Sequence, residues 1–162
     1  MKLFTPLAIC GLAALSIQAQ ASVVSEQTIG QQLAAELVSA AVASCSAQGY
    51  QVSATVVDRA GNVQAVLRAD NAGPHTLDSS RRKAYTSASM KAPTSKVLET
   101  VQKNPAAQNL SMIDDLLILG GGLPIKGGDE VVGGLGIGGA PGGHLDEQCG
   151  IAALDSVKAK LK

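Results

Sequence analysis

Two histidines, His75 and His144, are the only imidazoles in the 162-residue chain. Any chemistry that needs a nitrogen ligand for a metal, or a proton carrier near neutral pH, falls on them. His75 sits in Gly73-Pro74-His75-Thr76, and His144 follows the glycine pair Gly142-Gly143. Close behind His75 come Arg81, Arg82 and Lys83, a cationic run that could receive an acidic group. A solvated face with local carboxylate partners is the competing account for at least two of the three. Tyr85 and Met90 are further potential metal donors, set against ordinary roles in a core or an interface. The usual hydrolytic and redox constellations are missing: there is no Ser-His-Asp order, no H-E-x-x-H and no C-x-x-C. Asp114 and Asp115 are adjacent, so on a helix or a strand their carboxylates would point in different directions.

The stretch from Gly120 to Gly150 must position much of this, since twelve of the eighteen glycines fall between Gly120 and Gly143. The apolar residues just before and within it come in two groups, Leu116 to Leu119 and Val131 to Ile137. A hairpin follows, with Leu123 to Lys126 as one strand, Gly127-Gly128-Asp129-Glu130 as the turn and Val131 to Ile137 as the second strand. Glycine inside a strand implies close approach by a backbone or a flat ligand, or a bulge, and a sheet crossed tightly by its own helix is the simplest form of that. Gly134, Gly136 and Gly139 match G-x-G-x-x-G, but Ala140-Pro141-Gly142-Gly143 intervenes before any helix and only one helix remains. Dinucleotide binding on this turn is therefore rejected.

Residues 1–21 read as a secretory signal: Lys2, the apolar run Leu7 to Ile17, then Ala19-Gln20-Ala21 as a cleavage site. The expected domain is 22–162, one unit of 141 residues, periplasmic or secreted and without membrane insertion. Without Lys2 the balance is twelve basic residues to thirteen acidic, which argues against nucleic acid. Cys45 and Cys149 remain after cleavage. An internal disulfide, two buried thiols and an intermolecular bridge are all open, and the first requires their helices to lie side by side.

A helix is expected over Thr28 to Gln48, from Ile29, Leu33, Leu37 and Ala41 four apart with Val38, Val42 and Cys45 beside them. Tyr50 to Val57 and Val63 to Arg68 alternate around Asp58 to Asn62 as a hairpin, with Val63, Ala65 and Leu67 expected to face in. Thr76 would cap a helix from Leu77 to Met90, whose few apolar residues require a close neighbour. Thr94 or Ser95 would cap a shorter helix ending at Asn104-Pro105, and the last helix would run from His144 to Leu161. The result is a single α+β domain, an antiparallel sheet of about five strands with helices packed on it.

Taken together, Val56-Val57-Asp58 with Gly61-Asn62, Arg82 to Thr86, Pro93-Thr94, Gly120 to Ile125 and Gly134 to Cys149 resemble the GlcG/HbpS-like haem-binding family, in order along nearly all of the expected domain. The resemblance implies a roadblock- or profilin-like α-β-α domain, assembly into homo-oligomers such as tetramers or octamers, haem as cofactor, and in some members a membrane sensor partner. Haem needs an apolar slot, an axial donor and cations near its propionates. On that basis His75 is the leading iron ligand, Arg81, Arg82 or Lys83 the propionate partner, and Tyr85 and His144 further contacts. The expected function is non-catalytic haem buffering or sensing, with iron-driven haem breakdown left open. The alternatives are a small organic-acid binder using Arg81 or Arg82, or an oligomeric interaction module with no ligand.

Overall fold

The computed structural model describes residues 24–162; the expected signal segment and its cleavage site lie outside them. Helix α1 (Gln31–Ser46) buries Ala34, Leu37, Val38, Ala41, Val42 and Cys45, spacings of three and four that make one apolar stripe. Gly49, at φ +83°, turns the chain out of it. Strands β1 (Ser53–Asp58) and β2 (Val63–Arg68) form the expected hairpin. At its turn, Asn62 donates its backbone N–H to Asp58 Oδ1 at 2.8 Å. Gly61 takes φ +89°, and a Cβ there would meet the ring of Tyr85 at 2.7 Å.

Helix α2 (His75–Met90) follows, then α3 (Thr94–Lys103) and a 3-10 turn over Pro105–Met112. Strands β3 (Gly122–Gly127) and β4 (Glu130–Gly138) make the glycine-rich hairpin, and α4 (Gly143–Val157) ends in a second 3-10 turn, Lys158–Lys160. The sheet is antiparallel in the order β2-β1-β4-β3. It has four strands where about five were expected. Leu116 to Leu119 add none, because they fold over α2, Leu116 accepting from Arg82 Nη2 at 2.7 Å and Leu117 N–H donating to Thr86 Oγ1 at 2.8 Å.

Period-two alternation splits the sheet into two faces. Ala54 and Val56 of β1 and Leu135 and Ile137 of β4 point into the main core with α1 and α4. There the Cys45 and Cys149 sulfurs lie 2.15 Å apart with their Cα atoms separated by 5.3 Å, joining the two helices. Ser53, Thr55, Gly134 and Gly136 point to α2 instead. Ser53 Oγ and Thr76 Oγ1 share a 2.7 Å hydrogen bond, and Thr55 Oγ1 and Ser80 Oγ one of 2.8 Å. A Cβ at Gly136 would collide with the backbone of Ser80 and Ala84. The glycines are thus crossed tightly by the protein's own helix.

Three local expectations change. Thr76 does not cap α2: the helix begins at His75, and the Thr76 hydroxyl is buried against Gly73 and Ser53. Thr94 opens α3 without capping it, because its hydroxyl accepts from Gly122 N–H at 2.8 Å and so anchors the start of β3. In β2 only Ala65 packs on the core. Val63 and Leu67 stay 47% and 38% exposed, since β2 is an edge strand whose register shifts opposite Val56/Val57.

Candidate functional site

Both histidines stand in the first turn of a helix, and the two helices start at the same end of the sheet. His75 opens α2 and is exposed; its ring folds back over Gly73, where a Cβ would meet it at 2.7 Å. His144 repeats the arrangement at the start of α4, exposed and folded over Gly142 at 2.8 Å. The segment Gly139 to Gly143 connects the two neighbourhoods. Gly139, at φ +132°, approaches Thr76 beside His75, with 3.2 Å from its Cβ position to Thr76 Cγ2, and the segment runs directly into His144.

The cations are already engaged. Arg81 donates to Asp115 Oδ1 at 2.7 Å and to Asp78 Oδ1 at 3.1 Å, and the bond to Asp115 raises its already high pKa. Asp115 reaches it from a left-handed backbone, φ +66°. Arg82 holds the Leu116 carbonyl. Tyr85 lies far from the histidines: ten residues along α2 place it ~15 Å from His75 on the helix axis. It packs at the opposite end of the sheet against Gly61, beside Arg59 and Ala88. His75 and Tyr85 therefore do not converge on one ion. Met90, at the end of the same helix, is farther still.

Lys83 is the member of the cationic run that leaves the surface. Its side chain is 2% exposed, and Nζ donates to Asp146 Oδ2 at 2.7 Å and to the Ile137 carbonyl at 2.9 Å. The other carboxylate oxygen, Oδ1, accepts the Ala140 N–H at 3.0 Å. Burial pushes the Asp146 carboxyl above its ordinary value, and the Lys83 ammonium and the Ala140 N–H offset this only in part. Gly121, at φ +116°, makes room for the ammonium; a Cβ there would lie 2.8 Å from Nζ. Residue type hid this pair within a charged run. Helical phase could have found it, because Lys83 lies three residues from Ser80 and four from Ser87, both buried on the same side of α2.

No cavity is centred on the histidines among those found in the described residues. One cleft of about 900 Å³ lies between α1 and α4, lined by Gln31, Ser39, Glu36 and Lys160, on the opposite layer from α2. No group of three or more metal-ligating side chains occurs among the described residues, and none of their helices is long and apolar enough to cross a membrane.

This arrangement has known counterparts. Residues 29–155 match the family described as haem degrading protein HbpS-like. The chain belongs to the HbpS-like family. Among solved structures, a double mutant of Streptomyces reticuli HbpS superposes with a TM-score of 0.80 at 36% identity, covering 90% of this chain and 98% of that one. Klebsiella pneumoniae ORFY gives a TM-score of 0.81 at 28% identity, over 86% and 97%. A complex of PduOC with haem shares the fold, with a TM-score of 0.71 at 22% identity, over 80% and 94%. An uncharacterized 15.0 kDa protein of Citrobacter freundii is 32% identical over 87 residues, which is 52% of this chain and 61% of that protein. The family's description and the haem-bearing neighbour connect this fold with haem.

Proposed function

We propose that the protein binds haem, outside the cytoplasm, as a buffer or sensor component rather than as an enzyme with its own acid-base machinery. The observation that carries this reading is His75, an exposed imidazole at the start of α2 with Leu77, itself 43% exposed, one residue beyond its neighbour Thr76. A neutral imidazole supplies the axial nitrogen that haem iron takes, and an exposed leucine supplies apolar contact for the macrocycle. The axial-donor requirement fits, while Leu77 is an open apolar surface and not an enclosed slot, since no cavity found among the described residues is lined by either histidine. The propionate half fits less well, because Arg81 and Arg82 each hold a partner that a propionate would have to displace. Haem bound here supplies the redox and ligand chemistry of its iron; His75 holds and orients it, and His144, at the same end of the sheet, is the second contact. Export is supported by the leader pattern of residues 1–21 and by the sulfur pair Cys45–Cys149, since disulfides persist in oxidising compartments.

Self-association belongs to the same proposal. The β3 edge is guarded by Pro124, which has no N–H, and by Thr94, whereas β2 leaves Val63, Val66 and Leu67 38 to 47% exposed. We assign this edge to contacts between copies, measurable as mass by light scattering.

The test is a haemin titration followed by absorption spectroscopy, with His75→Ala and His144→Ala beside the natural protein. A saturable Soret shift at stoichiometric haemin, weakened in His75→Ala, is expected. A shift untouched by either substitution would move the ligand elsewhere, and no saturable shift would overturn haem binding.

A further inference from the structure

Lys83 and Asp146 belong to helices on opposite faces of the sheet, yet their side chains meet. They do so where β3 and β4 part, beyond the Gly122↔Gly136 pair, through the space that Gly121 leaves open. Exposures of 2% and 3% leave the pair almost closed to solvent, and both partners have further hydrogen bonds. A buried ion pair of this kind is a weak source of stability, because apolar residues of similar volume usually do as well or better. Its geometry is the distinctive part. Asp146 lies two residues from His144 and, through Oδ1, holds Ala140, the residue after Gly139. Gly139 in turn sits against Thr76, next to His75. Gly120 and Gly143 close the same corner, backbone to backbone, with 3.3 Å from the Gly120 Cβ position to the Gly143 carbonyl carbon.

We infer that Lys83 and Asp146 are positioning residues: a pin through the end of the sheet that fixes the Gly139 to Gly143 segment, and with it the placement of His144 relative to His75. Neither is a ligand contact. The effect on haem rests on the haem-binding reading above, whereas the effect on the segment does not.

The test compares the natural protein with the Lys83→Met/Asp146→Leu double variant, without haem and with it. In the natural protein the Ala140 amide should exchange with solvent as slowly as the amide of Ile137, which donates to Gly121 O. In the double variant the urea midpoint should match or exceed that of the natural protein. Ala140 exchange should nevertheless rise by about tenfold or more, the His144 imidazole resonances should shift, and haemin affinity should fall by about tenfold or more. Unchanged Ala140 exchange and His144 resonances in a folded double variant would overturn the inference. Should that variant fail to fold, fast Ala140 exchange in the natural protein would overturn it equally, and slow exchange would support it. Failure of haemin to bind the natural protein would defeat the haem reading alone, because the exchange and resonance measurements need no haem.

Discussion

On one face of the sheet, Ala54, Val56, Leu135 and Ile137 reach into a core of leucine, valine and paired cysteine sulfurs. One residue away along the same strands, Ser53, Thr55, Gly134 and Gly136 meet α2 with hydroxyls or with no side chain at all. The first face is held by filling volume, and a change of shape can be absorbed by neighbouring rotamers. The second is held by buried hydroxyl pairs and, at the glycines, by backbone against backbone, where nothing can rotate away. The histidines begin the helices at one end of this arrangement, and the close face is the one that fixes the course of α2. The exposed His75, the proposed iron ligand, is thereby carried on a stiff mount.

The sharpest way to break this contrast is Gly136→Ala. Its new methyl would meet the Ser80 carbonyl and the Ala84 amide, so a loss on the order of 5 kcal/mol, or failure to fold, is expected in urea unfolding. Ile137→Val, the next residue on the opposite face, should cost only about 1 kcal/mol. Equal losses at the two positions would dissolve the distinction. Lys83→Met alone should cost about 3 to 5 kcal/mol, because it strands the Asp146 carboxylate in a dry site. Reducing Cys45–Cys149, which closes a separation of 104 residues, should cost about 2 to 5 kcal/mol by the same assay and act through the apolar face. Gly128→Ala is the control for glycine without close contact: φ is +60° and nothing lies within 4 Å, so the penalty should be that of left-handed backbone alone, about 1 kcal/mol.

The smallest signal is a pH slope from one carboxyl. Asp146 has its folded pKa raised above 3.8, chiefly by burial. The folded protein then holds that proton more tightly than the unfolded chain does. This contribution is complete below pH 3.8 and is lost as pH rises through the folded value. Urea midpoints across that window should show the slope, and Asp146→Asn should remove it. The buried side chains of the α1/α4 core carry no titrating group, so no matching slope should come from that face.

Much of this was readable from residue order. The row of α1 fell at helical spacing, and the Asp58 to Asn62 turn stood between two alternating runs. Glycine at nearly every other position of β4 implied close approach by a backbone or a flat ligand, or a bulge, of which the protein's own helix is the form found. What escaped was set by tertiary contact. Thr76 and Thr94 precede apolar helical runs and so resemble caps, but their hydroxyls are taken by Ser53 and Gly122 across the fold. Val63 and Leu67 alternate as inward residues should, yet strand position decides exposure, and β2 is at an edge. The histidines could be singled out by type, and their common end of the sheet follows only from topology. Tyr85 was grouped with them as a donor type, and ten residues along one helix carry it away from His75.

The cysteine bridge also has a mechanical meaning. A force pulling on the two ends of the chain enters at α1 and leaves at α4, passing directly from Cys45 to Cys149. The whole sheet, α2 and the glycine-rich hairpin lie inside the closed loop, out of the line of tension. Stretched in an optical trap, the oxidised protein should lengthen only by its terminal segments. Reductant should release the rest, roughly 350 Å of extended chain.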